Sequence, residues 1–157
     1  MESNDKVENF TLQDQDGNPV SLTDFSGKPV VLFFYPKADT PGCTIEACEF
    51  RDALRSLLAT GAVILGISRD TPKSQKKFQD KFSLPYSLLA DVDEVVCKQF
   101  DVLREKNMYG KKVIGIERTT FLIGPDQRII KVFRKVKPEG HAQEVLTALE
   151  EHAKAAK

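Results

Sequence analysis

The stretch PVVLFFYPKADTPGCTIEAC, residues 29–48, decides how the rest of the chain is read. Its first eight residues are continuously apolar, rich in strand formers and bounded by prolines, which predicts a central β-strand buried on both faces. Thr40 then suits a helix N-cap, Pro41 the first helical position, and Gly42 a close backbone approach. The spacing predicts a helix from about Pro41 to Ala59, stopped by Thr60-Gly61, with Ala47, Phe50, Leu54 and Leu57 forming one buried stripe.

Cys43 falls in the first turn of that helix, where backbone N–H groups are unpaired and the helix dipole favours negative charge. Helix N-termini lower a thiol's pKa from about 8.5, in places by several units, so the position predicts an activated sulfur. Cys43 also lies one turn before Ala47, and a small buried hydrophobe on the core stripe is the structural alternative. Cys48 follows five residues later. Five helical residues rise about 7.5 Å and turn about 140°, separating the Cα atoms by about 8.7 Å. A disulfide needs about 4.4–6.8 Å. In an intact helix the two cysteines cannot bond, so a disulfide between them would require the first turns to unwind.

Outward from this stretch, Phe10, Leu12 and Leu22 around the turn residues Gly17 and Asn18 suggest a small β-hairpin over residues 9–22, and TDFSGK a helical turn closing at Gly27. AVILGIS (62–68) reads as a second buried strand, and Thr71-Pro72 opens a helix to about Phe82. YSLLAD reads as a strand and DEVVCKQF as a short helix. TTFLIG and RIIKVFRKV flank GPDQ as hairpin arms, and GHAQEVLTALEEHAKAAK closes the chain as an amphipathic helix. This order predicts an α/β, thioredoxin-like fold: a central mixed sheet flanked by helices, with an N-terminal β-hairpin extension, in one domain over residues 1–157.

Composition narrows the function. The chain has 157 residues, 41% hydrophobic and 29% charged, enough for one packed domain without cross-links. Lys+Arg and Asp+Glu both number 23, so no basic excess suggests nucleic acid. The longest apolar run is far short of the roughly 20 residues of a membrane helix, and the polar start MESNDKVENF is unlike a secretory signal. A cytoplasmic location is expected. Three cysteines, an odd number, argue against a disulfide framework. No metal site is expected, because the two histidines, His141 and His152, make no tetrahedral set with the cysteines. His141 reads as a polar first-turn residue and Cys97 as a buried bystander.

The run FFYPKADTPGCTIEACEFRD (33–52) closely resembles the active-site segment of peroxiredoxins, in particular the bacterioferritin comigratory protein (Q-type) branch. Pro36, Thr40 and Cys43 meet the Pro-x-x-x-Thr-x-x-Cys motif, and Cys48 marks the Q branch; LTDFSGKPVVLFFYP, GAVILGISRDTPKSQKKF, LPYSLLAD, GIERTTFLI and GHAQEVL match in order. The resemblance implies a peroxidatic Cys43 that becomes a sulfenic acid and a resolving Cys48 that forms an intramolecular disulfide. It implies that Thr40 holds the thiolate and peroxide oxygens, that Pro36 shields the site, and that Arg118 stabilises developing charge. Glu46 matches an acid that orients the arginine; a dipole-favoured exposed acid is its other reading. The implied substrates are hydrogen peroxide and organic hydroperoxides, the reductant is thioredoxin or a glutaredoxin-like dithiol protein, no cofactor is involved, and the chain is a monomer.

Two other functions fit the same layout. A thioredoxin-like disulfide reductase expects Cys-x-x-Cys, and TPGC has threonine at the first position. A redox-responsive binding or chaperone domain would use surface exposed when the helix unwinds.

Overall fold

The computed structural model describes residues 1–155. In chain order the elements are β1 (Thr11–Gln13), β2 (Pro19–Ser21), a 3-10 turn (Leu22–Phe25), β3 (Val30–Phe34), α1 (Pro41–Asp52), α2 (Leu54–Ala59) and β4 (Val63–Ser68). There follow α3 (Pro72–Phe82), β5 (Ser87–Ala90), α4 (Val95–Gln99), β6 (Leu103–Met108), β7 (Lys111–Ile116), β8 (Thr119–Ile123), β9 (Ile129–Phe133) and α5 (His141–Ala155). The end of the expected last helix, residues 156 and 157, lies outside the described residues.

Seven strands form one mixed sheet in the order β2-β1-β5-β4-β3-β8-β9, with β3, β4 and β5 parallel and the other pairings antiparallel. All five residues of β3 are buried. The pleat sends Val31 and Phe33 to one face and Val30, Leu32 and Phe34 to the other. The first face packs against Ala47 and Phe50 of α1, Leu57 of α2, Phe78 of α3 and Val145 of α5. The second packs against Leu22, Phe100 and the N-terminal Val7 and Phe10. This is the thioredoxin-like plan, and the expected N-terminal hairpin is joined to its sheet through Gln13 opposite Ala90.

Two features depart from the sequence reading. The helix expected to run to Ala59 breaks at Ala53, where φ and ψ are −91° and 0°. Tertiary contacts set the break: Arg51 Nη1 donates to Phe82 O at 2.7 Å, tying the end of α1 to α3, while α2 lies against α5. The β6–β7 hairpin was not expected at all. It stands as a separate two-stranded ribbon, turning at Tyr109 and Gly110 with φ of 54° and 78°.

Candidate active site

Strand β3 delivers Pro36 to the end of the sheet, and the chain turns through residues 37–40 into α1. Asp39 takes a left-handed φ of 62° in this turn. The turn is pinned from β4: Asp70 Oδ2 accepts from Ala38 N at 2.8 Å and from Ser68 Oγ at 2.6 Å. Ser68 also accepts from Gln75 Nε2 at 2.9 Å, and Tyr35 Oη donates to Gln75 Oε1, so a buried chain of hydrogen bonds runs from Tyr35 to the turn.

Thr40 stands at the N-cap position, but its hydroxyl does not cap. It donates to Lys37 O at 2.9 Å, and the first intrahelical bond is Thr44 N–H to Thr40 O at 2.8 Å. Thr71, before the second Pro-initiated helix, does cap, accepting from Ser74 N at 3.2 Å. The same Thr-Pro pair thus closes α3 and leaves the α1 terminus open. Pro41 has no N–H, so the Gly42 and Cys43 amides face the space ahead of the helix, where the dipole favours an anion.

Cys43 is buried at 1% exposure. The register of β8 on β3 places Thr119 opposite Phe34, so Arg118 stands one residue further on, at the end of the sheet where α1 begins. Its guanidinium forks between two partners on α1. Nη2 donates to Cys43 Sγ at 3.4 Å and Nη1 to Glu46 Oε1 at 2.8 Å. Cys43 and Glu46 are three residues apart and therefore share a helix face. Gly42 makes room for the fork: a methyl group there would lie 3.0 Å from Arg118 Nη2 and 3.4 Å from Pro138 Cγ.

Glu46 is buried at 1% exposure, and among the described residues its Oε2 has no hydrogen-bond partner. Burial pushes its carboxyl up to about 7, against the opposing pull of Arg118. Burial alone would weaken the hold of Arg118 on its proton. The adjacent Glu46 carboxylate and Cys43 sulfur outweigh that and raise it, so the guanidinium is a fixed positive charge.

Cys48 is half-buried on the unbroken α1, and all three cysteines are free thiols. The continuous helix keeps Cys43 and Cys48 at the separation of about 8.7 Å that helical geometry sets. Pro36 is half-buried beside the turn. Cys97 is fully buried on α4, and burial followed by the neighbouring Asp91 carboxylate raises its thiol well above the ordinary range.

His141 opens α5 in its first turn, as expected, and is buried there: it is 1% exposed and lies between the rings of Phe50 and Phe133 with Nε2 2.7 Å from Thr120 Oγ1. Its burial lowers its pKa. Among the described residues, no group of three or more His, Cys, Asp or Glu side chains converges as a metal site requires. Asp70, Ser68 and Gln75 were not singled out from sequence. The available signal was the position of Asp70 just past the carboxyl end of a central parallel strand, where α/β folds place their sites.

A thioredoxin-like sheet that sets a buried thiol at a helix N-terminus, under an arginine fork, defines the class of thiol-based peroxidases. The AhpC/TSA family model matches residues 3–132. Peroxiredoxin Bcp of Escherichia coli strain K12 is 46% identical over 153 residues, covering 98% of each chain. The structure of a cysteine-to-serine mutant of Xylella fastidiosa PrxQ superposes with a TM-score of 0.93 at 43% identity, covering 98% of each chain. A structure of Xanthomonas campestris bacterioferritin comigratory protein, from work on its alkyl peroxide reduction activity, superposes at 0.88 with 45% identity, covering 92% of each chain. The chain belongs to the AhpC/TSA family, within its Bcp/PrxQ peroxiredoxins. It is accordingly a thiol-dependent peroxidase, with a peroxide as substrate and the thioredoxin-type recycling typical of that family.

Proposed function

We propose that Cys43 is the peroxidatic thiol and Cys48 the resolving thiol. The observation that carries this reading is the Arg118 fork, which holds a fixed positive charge 3.4 Å from the Cys43 sulfur. The Cys43 thiolate attacks the O–O bond of a hydroperoxide, ROOH. One oxygen stays on sulfur as the sulfenate, the other takes the hydroperoxide proton and leaves as ROH, and a proton from solvent completes the sulfenic acid. Negative charge spreads onto both oxygens as that bond breaks, beside Arg118 and the open α1 amides. Thr40 has committed its one proton to Lys37 O, so toward the substrate it acts as an acceptor for the hydroperoxide O–H. Pro36 limits access of water. Glu46 holds the guanidinium in the orientation that serves the sulfur.

The Cys48 thiol then attacks the sulfenic sulfur, releasing water and forming the Cys43–Cys48 disulfide. Thioredoxin, or a glutaredoxin-like dithiol protein, reduces that bond by exchange. Because α1 is intact in the reduced state, its first turns unwind between the two steps. Both hydrogen peroxide and organic hydroperoxides are substrates on this reading. Support for the latter is the alkyl peroxide reduction named for the X. campestris relative. We further propose that residues 1–157 act as one domain and a monomer in the cytoplasm, since resolution within one helix needs no second subunit. Among the described residues, no helix is long and apolar enough to cross a membrane.

Peroxide titration with disulfide mapping tests the reading. One equivalent of hydrogen peroxide should join Cys43 to Cys48, and Cys43→Ser should be inert. A disulfide to Cys97, or equal peroxide reactivity in Cys43→Ser, would overturn it.

A further inference from the structure

Residues 134–140, which link β9 to α5, run as a strap across the start of α1. Three independent contacts hold them there. At one end Val136 N donates to Arg118 O at 3.0 Å. In the middle Pro138 closes over Gly42, its Cγ 3.4 Å from where a methyl on that residue would stand. At the other end Gly140 N, at a φ of 82°, donates to Glu49 Oε1 at 2.8 Å. Val136 and Pro138 are half-buried while Lys135, Lys137 and Glu139 are exposed, so the strap has an underside packed on the site and an outer face in solvent.

Glu49 is the residue that follows Cys48. Its carboxylate therefore fastens the strap just beyond the segment that must unwind for resolution. We propose that Glu49 is a positioning residue for the resolving step: its clasp on Gly140 holds the strap down over Gly42 and so restrains opening of the first turns of α1. The proposal rests on the assignment of Cys43 and Cys48 given above.

The restraint decides between two fates of the sulfenic acid. In the first, Cys43–SOH and Cys48–SH give the disulfide and water. In the second, Cys43–SOH and a further ROOH give Cys43–SO2H and ROH, which ends turnover. Only the first needs the helix to open. A firm clasp keeps the peroxide-reducing geometry assembled for longer, and a loose one favours the disulfide.

The test is rapid-quench mass spectrometry of the full chain under excess hydrogen peroxide, which reads sulfenic acid, disulfide and sulfinic acid separately. Glu49→Ala should form the disulfide about fivefold faster than wild type, as expected for loss of one solvent-exposed charge-assisted hydrogen bond. Less sulfinic acid should accumulate per turnover, and the rate of the first oxidation should be unchanged. Glu49→Gln keeps an acceptor oxygen for Gly140 N and should restore the wild-type partition. Pro138→Ala should shift the partition in the same direction as Glu49→Ala. An unchanged or slower disulfide step in Glu49→Ala would overturn the proposal, as would Glu49→Gln behaving like Glu49→Ala. Cys48→Ser separates this from failure of the underlying reading: a Cys43 disulfide that still forms in Cys48→Ser would refute the assignment of the resolving thiol, whatever the Glu49 variants do.

Discussion

Gly42→Ala should slow peroxide reduction without weakening the fold. The new methyl would stand 3.0 Å from Arg118 Nη2, and ordinary contact begins near 3.4 Å, so the guanidinium must retreat by about 0.4 Å. Glu46 holds its other arm at 2.8 Å, so the retreat falls on the arm that reaches sulfur. At an effective dielectric constant near 20, unit charges 3.4 Å apart interact by about 5 kcal/mol, and moving them to about 3.8 Å removes about 0.5 kcal/mol. That alone slows oxidation about twofold. If the Nη2–Sγ hydrogen bond breaks outright, a further 1.5 kcal/mol or so is lost and the fall exceeds about tenfold. Alanine, in contrast, favours helix over glycine by up to about 1 kcal/mol. Activity and stability should therefore move in opposite directions. The chain has no tryptophan, so the oxidation rate is read by rapid-quench mass spectrometry and the stability by thermal melting. An unchanged rate would refute the claim that the fork sets reactivity, and a rate loss matched by a lower melting temperature would place the effect in folding instead.

Thr40→Val should lower the oxidation rate at little cost in stability, because Thr40 makes no cap bond. Thr71→Val should cost about 1 kcal/mol of stability with activity intact, because Thr71 does; paired melting curves and kinetics check both. Glu46 has a folded pKa raised from 4.5 to about 7, so it binds more protons folded than unfolded, and its contribution to stability falls as pH rises from about 4.5 through about 7. Melting from pH 4.5 to pH 8 should show Glu46→Gln improving relative to wild type across that window, by about 3 kcal/mol for a shift of that size; parallel curves would contradict it. Cys48→Ser should leave the first oxidation at its wild-type rate and abolish recycling by a thioredoxin-type reductant, with sulfenic and then sulfinic Cys43 seen by mass spectrometry.

Much of the architecture was legible because burial writes itself into residue type. The unbroken apolar run of β3 announces a strand covered on both faces, and Thr-Pro marks the true starts of α1 and α3. The β6–β7 ribbon escaped notice for the complementary reason. Lys111, Lys112, Val113 and Ile114 are all exposed, so no alternation between apolar and polar residues signals a strand. Its Tyr-Gly turn also lacks the usual asparagine or aspartate. Within the site, Cys43, Thr40 and Pro36 belong to one short segment and could be read as a motif. Arg118 is 75 residues from Cys43, and only the resemblance selected it from the other arginines. Glu46 could not be decided from sequence, because an acid near the start of a helix reads equally well as facing solvent or facing a guanidinium; its burial against Arg118 is a fact of packing. The same holds for Pro138 and the burial of His141, whose partners are distant in sequence.

The break at Ala53 bears on how far disorder can spread when the site opens. A continuous helix from residue 41 to 59 would melt cooperatively, and fraying its first turns would loosen Leu57 and the core beneath it. Divided, the first segment keeps its own anchors at its far end, where Phe50 is fully buried and Arg51 holds Phe82 O, while the second stays docked through Leu57. In the proposed cycle the excursion is thereby confined to a few residues, and each turnover loses and regains part of a helix while the hydrophobic interior stays closed.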